Sequence, residues 1–215
     1  DDEIPENDKA EAMMRSVDVE FTDDMESGIN GWTAYKSLVN PWHLIDIEED
    51  ENREASSGTH SMWVGDESKD DGEYDNNWDF SLYTSEEMSG GGEMTVDIWY
   101  STEFSWDGGN VQITTDDGDT WEVIHPVGGY PDDAVVGLDN EPGYTGTSGD
   151  GEDGASWETA TFSLGNYSND DVKFRFRFGT DSSVENYEGW YIDDFTVNNG
   201  FEDDFEDGSD DWESD

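Results

Sequence analysis

The sequence predicts an all-β protein in which two antiparallel sheets pack face to face. Three observations predict it. Apolar residues alternate with polar ones at period two in run after run, the periodicity of a half-buried strand. Clusters of Gly, Asp and Asn separate the runs, and no long helical pattern interrupts them. Aromatics make up 13% of the chain, with 10 Trp, 9 Tyr and 10 Phe, enough to build a core and to oppose the disorder that high charge otherwise signals.

Residues 1–19 read as an arm or linker. Pro5 and the acids after it suit a helix N-terminus, but two turns are marginal alone. The body spans residues 20–200. In it, Met94, Val96, Ile98 and Tyr100 alternate with Thr95, Asp97, Trp99 and Ser101. Val111 and Ile113 form a second run, and Val172, Phe174, Phe176 and Phe178 a third. Further strands fit residues 42–47, 60–65, 80–84, 157–164 and 190–197. One apolar face per strand is what a sandwich of two sheets requires. Residues 128–156 form the longest irregular stretch, rich in glycine, and loops of that length are usually functional or mobile.

The tail, residues 201–215, reads as the start of a second repeat or as an exchanged strand. Residues 21–32 match residues 201–212 without a gap, with six of twelve positions identical. Shared acids mean little in this chain, whereas Phe21 with Phe201, Gly28 with Gly208 and Trp32 with Trp212 fall in register.

Charge narrows the setting and the partners. With 58 Asp and Glu against 8 Lys and Arg, the formal net charge is -50. Self-repulsion of that size destabilises a compact state in dilute buffer, and molar salt screens it, which predicts a protein adapted to brine. Nucleic acid is excluded as a partner because the field has the wrong sign. An anionic membrane surface repels the chain, and no apolar run approaches 18 residues, so no membrane insertion is expected. Asp1-Asp2-Glu3 is not a secretion leader, as expected of a processed chain or of an excerpt from a longer one. Cysteine is absent, which excludes disulfides and thiolate metal sites. Oxygen ligands abound.

The sharpest local motif runs from Asp107 to Trp121. Thr114, Asp116, Gly118, Thr120 and Trp121 fit the hairpin motif known as an Asp-box, in which the Asp accepts backbone N–H groups across a tight turn. It marks a hairpin and says little about chemistry. The three histidines, His43, His60 and His125, share no metal spacing. Lys173, Arg175 and Arg177 place three of the eight cations on one strand face, where pairing with acids such as Asp97 is expected to steady the sheet. Asn166-Tyr167-Ser168 is a glycosylation sequon.

Several motifs in order resemble a known family. They begin with Asp24-x-Glu26 and Gly31-Trp32, then Ser57-Gly58-Thr59-His60-Ser61-Met62-Trp63, then Ser81-Leu82 and the Asp-box hairpin. Gly143-Tyr144-Thr145-Gly146 and Thr161-Phe162-Ser163-Leu164 follow. Phe174-Arg175-Phe176-Arg177-Phe178 and Gly189-Trp190-Tyr191-Ile192-Asp193-Asp194-Phe195 close the series. Over residues 20–198 this resembles the MAM-like jelly-roll domains attached to immune inhibitor A peptidases and to archaeal and bacterial surface proteins. The resemblance implies a jelly-roll β-sandwich and an extracellular or cell-surface accessory role. The family's peptidase activity belongs to a separate zinc domain with H-E-x-x-H, which is absent here. It also implies a structural calcium ion held where first and last strands lie side by side, by Asp24, Glu26, Asp193 and Asp194, with a carbonyl near Gly58 or His60. Calcium takes six to eight oxygens, which this set suits.

The resulting expectation is a non-catalytic structural or adhesive surface module. Its partners would be other copies of itself or other surface proteins, joined by strand addition. The alternative is a carbohydrate-binding accessory module of a secreted hydrolase, with Trp99, Trp106, Tyr130 and Tyr144 as the aromatic platform for a glycan.

Overall fold

The computed structural model describes residues 41–48, 53–69, 73–85, 87–149, 154–197, 201–206, 208–209 and 212–214. All of them belong to one compact unit, Asn40–Asp215. The arm, residues 21–32 with Asp24 and Glu26, and the acidic run 150–153 lie outside the described residues.

The strands in chain order are β1 (Trp42–Asp46), β2 (His60–Val64), β3 (Asp79–Thr84), β4 (Met88–Ser89), β5 (Glu93–Ser101), β6 (Gly108–Thr114) and β7 (Glu122–Val123). There follow β8 (Asp132–Val135), β9 (Glu141–Gly143), β10 (Glu158–Ser163), β11 (Asp171–Gly179), β12 (Gly189–Val197), β13 (Phe201–Asp203) and β14 (Trp212–Ser214). One sheet has the order β1-β2-β12-β5-β10, with β13 also on β12. The other has the order β14-β3-β11-β6-β7, with β4 on β11. All pairings are antiparallel, and the long strands alternate between the sheets along the chain. This is the expected antiparallel β-sandwich, and each of the eight strands read from alternation is present.

The alternation decides what lies between the sheets. Met94, Val96, Ile98 and Tyr100 of β5 face Phe174, Phe176 and Phe178 of β11 across one apolar core. Trp190 of β12 is fully buried there, with ring contacts to Trp42 at 5.9 Å, Phe176 at 5.8 Å and Tyr144 at 6.2 Å. β12 carries a register shift between Asp193 and Thr196, where Asp194 adopts φ +48. The extra residue moves the inward set from Trp190 and Ile192 to Phe195 and Val197, so both halves of the strand feed the core.

The first sheet also buries part of its outer face. Ile45, Trp63, Trp99 and Tyr191 cluster there, Trp157 packs against them, and the Arg53 guanidinium lies 3.8 Å above the Trp63 ring. The polar outer face expected of an alternating strand therefore does not hold for β5 and β12.

The cations of β11 find partners other than the expected Asp97, which lies in the opposite sheet on β5. Arg177, itself buried, takes both oxygens of Asp79 at 2.7 and 3.0 Å and reaches Asp139 at 2.7 Å and Glu141 at 3.1 Å. Lys173 pairs with Asp117 at 2.7 Å. Arg175 donates to Gln112 at 2.8 Å and lies 4.8 Å over the Trp121 ring. In the Asp-box, Asp116 accepts from Thr114 Oγ1 at 2.7 Å and from the Thr120 N–H at 2.8 Å, which fixes the β6–β7 hairpin.

Residues 128–156 are less irregular than expected. They hold the β8–β9 hairpin, closed by a 3-10 turn over Val136–Leu138 with Asp139 and Asn140 left-handed.

The tail is built into both sheets. β13 pairs with β12, β14 pairs with β3, and Phe205 and Trp212 are buried in the core. Between the two strands, the Glu206 carboxylate accepts the N–H groups of Thr59 at 2.5 Å and His60 at 2.7 Å. These bonds hold its pKa down at about 2, from an ordinary 4.5. A depressed carboxylate pKa contributes stability above the unfolded value and loses it as pH falls through the folded one. Glu206→Gln is expected to melt about 3 °C below wild type at pH 7, the gap closing between pH 4.5 and 2. Melting curves of both proteins across that range check it; a gap independent of pH contradicts it.

Candidate metal centre and binding surface

The segment between β5 and β6 is pinned at both ends. The Thr102 N–H bonds the Gly146 carbonyl at 2.7 Å, and the Ser105 N–H bonds Thr145 Oγ1 at 2.9 Å. Thr145 Oγ1 donates in turn to the Asp107 carbonyl at 2.7 Å. Ser105 is left-handed at φ +66. Glu103 and Asp107 face inward. Phe104 and Trp106 face out, 60% and 47% exposed.

Inward, the carboxylates of Glu103, Asp107 and Asp181 converge, with one oxygen of each within 4.8 Å of the others. Asp107 is fully buried and accepts from the Tyr74 hydroxyl at 2.7 Å and the Asp181 N–H at 2.7 Å. Burial, with the neighbouring acids, pushes its pKa up to about 6. Burial and the Asp181 charge likewise raise Glu103, whose Oε2 is buried without a hydrogen-bond partner. Three carboxylates, one of them with an orphaned oxygen, can supply part of the six to eight oxygens that a calcium ion takes. In sequence these acids are scattered among 58 acidic residues, so no spacing betrayed them.

Of the residues expected to hold calcium, His60, Asp193 and Asp194 are described, and Asp24 and Glu26 are not. Asp193 is fully buried, and its carboxylate takes the N–H groups of Ser56 at 2.8 Å, Ser57 at 3.1 Å and Asp194 at 2.7 Å. Burial pushes its pKa up to about 7 against the pull of those bonds. Asp193 thereby fastens the 53–57 segment onto the outer face of the first sheet. Asp194 accepts from Ser57 Oγ at 3.0 Å and lines a 280 Å³ cavity with Thr196, Asp203 and Asp204. The His60 ring lies 3.3 Å from Glu206 and 3.6 Å from Asp46. The tail's Asp204 and Glu206 stand at the positions that match Asp24 and Glu26.

Outward, the same loop borders a cavity of about 570 Å³. Tyr100, Tyr130 and Tyr144 line it, Phe104 and Val127 border it, and Glu158 is the one acid among its described lining residues. Val127 is 72% exposed. Val136, also exposed, is tied to this loop by its N–H bond to the Ser105 carbonyl at 3.1 Å.

Of the four expected platform residues, the fold brings Tyr130 and Tyr144 together, rings 4.9 Å apart, in the cavity wall. Their hydroxyls are raised in pKa, chiefly by burial. Tyr130 spends its own on the Ile124 carbonyl at 2.7 Å and the Val111 N–H at 3.0 Å. Trp106 is exposed on the adjoining loop. Trp99 is not in this group: it is buried on the outer face of the first sheet, edge-on to Tyr191 at 5.3 Å. Phe104 was missed because nothing in Thr102-Glu103-Phe104-Ser105 distinguishes an exposed aromatic from a strand residue. His43 lies apart from both sites, on the Gly65 carbonyl, whereas His125 packs against the Tyr130 ring at 5.6 Å, behind the cavity wall. Asn166 is exposed in a 3-10 turn.

No helix among the described residues is long and apolar enough to cross a membrane. No family model matches the chain, and neither does any curated protein. Among solved structures, the K2 cleaved adhesin domain of Lys-gingipain aligns with 82% of this chain and 99% of that one. The identity is 19% and the TM-score 0.44.

Proposed function

We propose that this chain is a non-catalytic adhesive module of an extracellular surface protein, adapted to brine and joined to neighbouring copies by strand addition. Its gripping surface is the loop of Phe104 and Trp106 with the cavity beside it. One observation carries the reading. On a chain of net charge -50, four of the five large apolar side chains exposed among the described residues are Phe104, Trp106, Val127 and Val136, all at this loop or cavity. Apolar patches rimmed by polar surface mark interaction sites. Calcium at Glu103, Asp107 and Asp181 would sit behind the loop and hold the two aromatics in place.

The cavity itself favours a glycan as a second reading. Tyr100 and Tyr144 offer ring surface, and Glu158 and Thr159 offer polar groups beside it.

Retention of the chain on immobilised copies of itself and on a glycan array, in molar salt with calcium, tests both readings. The Phe104→Ser, Trp106→Ser double variant is expected to lose about 30-fold in retention, the scale of a lost hot spot. Unchanged retention in the variant, or none on either surface for wild type, contradicts the assignment of this loop.

A further inference from the structure

The turn between β10 and β11 is held from beneath and open above. Leu164 is fully buried at its start, and Tyr167 packs against the core with its hydroxyl bonded to Glu122. Backbone bonds close the turn. The Tyr167 N–H meets the Leu164 carbonyl at 2.9 Å, and the Asp170 N–H meets the Tyr167 carbonyl at 3.0 Å. Gly90 passes underneath and donates its N–H to the Asp170 carbonyl at 2.8 Å; a Cβ there would stand 2.1 Å from the Tyr167 carbonyl oxygen. Asn166, between the two anchoring side chains, is exposed, and its amide has no hydrogen-bond partner among the described residues. Asn76 and Asn110, by contrast, spend theirs on Glu185 and Glu141.

Asn166 also begins the one Asn-x-Ser/Thr triplet among the thirteen asparagines of the chain. Its middle residue, Tyr167, is not the proline that would spoil an acceptor. Ser168 is exposed beside it, with its hydroxyl donating to the Gly165 carbonyl at 3.0 Å. An acceptor site needs a free amide, a hydroxyl two residues on and open space for a bulky sugar. The space is there: a Cβ on Gly165 would meet nothing nearer than Ser163 Oγ at 3.8 Å.

The topology fixes where this turn stands. β10 ends at Ser163, paired with Glu93 at the start of β5, and the Leu164 N–H bonds the Gly92 carbonyl at 2.8 Å. The loop of Phe104 and Trp106 follows Ser101, at the other end of β5. β11 likewise runs from the turn to Gly179, next to Asp181 of the acidic cluster. The nine residues of β5 therefore separate Asn166 from the gripping loop, about 26 Å of extended chain. Turn and loop stand at opposite ends of the sandwich.

We propose that Asn166 is a site of N-glycosylation, which carries a saccharide at the end of the sandwich away from the gripping loop. A separate glycosyltransferase supplies a sugar linked through its C1 to a phosphate. Asn166 Nδ2 bonds to C1 and the C1–O bond to the phosphate breaks. The phosphate leaves with that electron pair, and Nδ2 gives up one proton. A saccharide on this turn adds bulk and hydroxyl groups without covering Phe104, Trp106 or the cavity beside them. The inference rests on the extracellular reading above, because the acceptor motif is used on the surface loops of exported chains.

Mass spectrometry of the peptide containing Asn166 tests it, on chain recovered separately from the surface and the interior of the cells that make it. The expected result is a saccharide mass on that peptide in the surface fraction. It is lost in Asn166→Gln and in Ser168→Ala, and kept in Ser168→Thr. An unmodified Asn166 in chain from the surface overturns the glycosylation and leaves the extracellular reading standing. Chain found in the interior alone overturns the extracellular reading itself. A sugar that persists in Ser168→Ala refutes the assignment of the acceptor motif. Retention of Asn166→Gln on immobilised copies in molar salt is expected to equal that of the glycosylated chain. A loss matching that of the Phe104→Ser, Trp106→Ser variant would contradict the placement at the far end.

Discussion

Lowering the salt from molar to about 0.1 M is expected to drop the melting temperature by about 10 °C or more. The chain carries 58 acids and 8 cations, so most carboxylates have no cation to pair with. Molar salt confines each charge to about 3 Å, whereas at 0.1 M repulsion reaches about 10 Å and sums over the surface. The few cations do not relieve this. Arg177 is already shared among Asp79, Asp139 and Glu141, and Lys69 between Asp75 and Glu185. Such partly buried pairs are screened least, so they persist while the exposed acids repel. Thermal melts across a salt series check this. A melting temperature that stays within about 2 °C over the whole range would contradict adaptation to brine.

Trp190→Ala is expected to cost about 4 kcal/mol and to lower the melting temperature by about 12 °C. The indole is fully buried and joins the two sheets, since β12 brings it from one and its ring meets Phe176 of the other. It also backs Tyr144, which lines the cavity beside the exposed loop. The cavity left by truncation is too large for its neighbours to fill, and Tyr144 loses its support. Retention on immobilised copies or glycans should therefore weaken at temperatures where the variant is still folded. Melts and retention measured on the same preparation check both parts. A variant that melts within about 3 °C of wild type would contradict the central place given to this residue.

The long strands were legible because each obeys one simple period: Met94 to Tyr100 and Val172 to Phe178 alternate without a break. The irregular features were not. The bulge at Asp193 and Asp194 hides inside Trp190 to Val197, where both faces are apolar and alternation carries no register. That same two-sided burial makes Trp99 read as an exposed platform residue when it is packed beneath Tyr191. β8 and β9 are short strands within glycine-rich sequence, held by their mutual pairing rather than by a pattern in either. The candidate metal centre was invisible for a different reason. Glu103, Asp107 and Asp181 come from two loops 74 residues apart and look like any other acid in so acidic a chain. Only the fold shows that Asp107 is buried and that Glu103 Oε2 has no hydrogen-bond partner. The tail carried the clearest signal of all, since its match to residues 21–32 needed no structure; what the structure adds is that β13 and β14 pair with β12 and β3.

The claim that calcium holds the gripping loop is tested most directly by calcium titration of the full chain in molar salt, read by calorimetry and by amide exchange over residues 101–108. Saturable binding that slows exchange in that loop, and that is lost in Glu103→Gln, Asp181→Asn while the variant stays folded, is the predicted result. No binding by wild type, or equal binding by the variant, would contradict it.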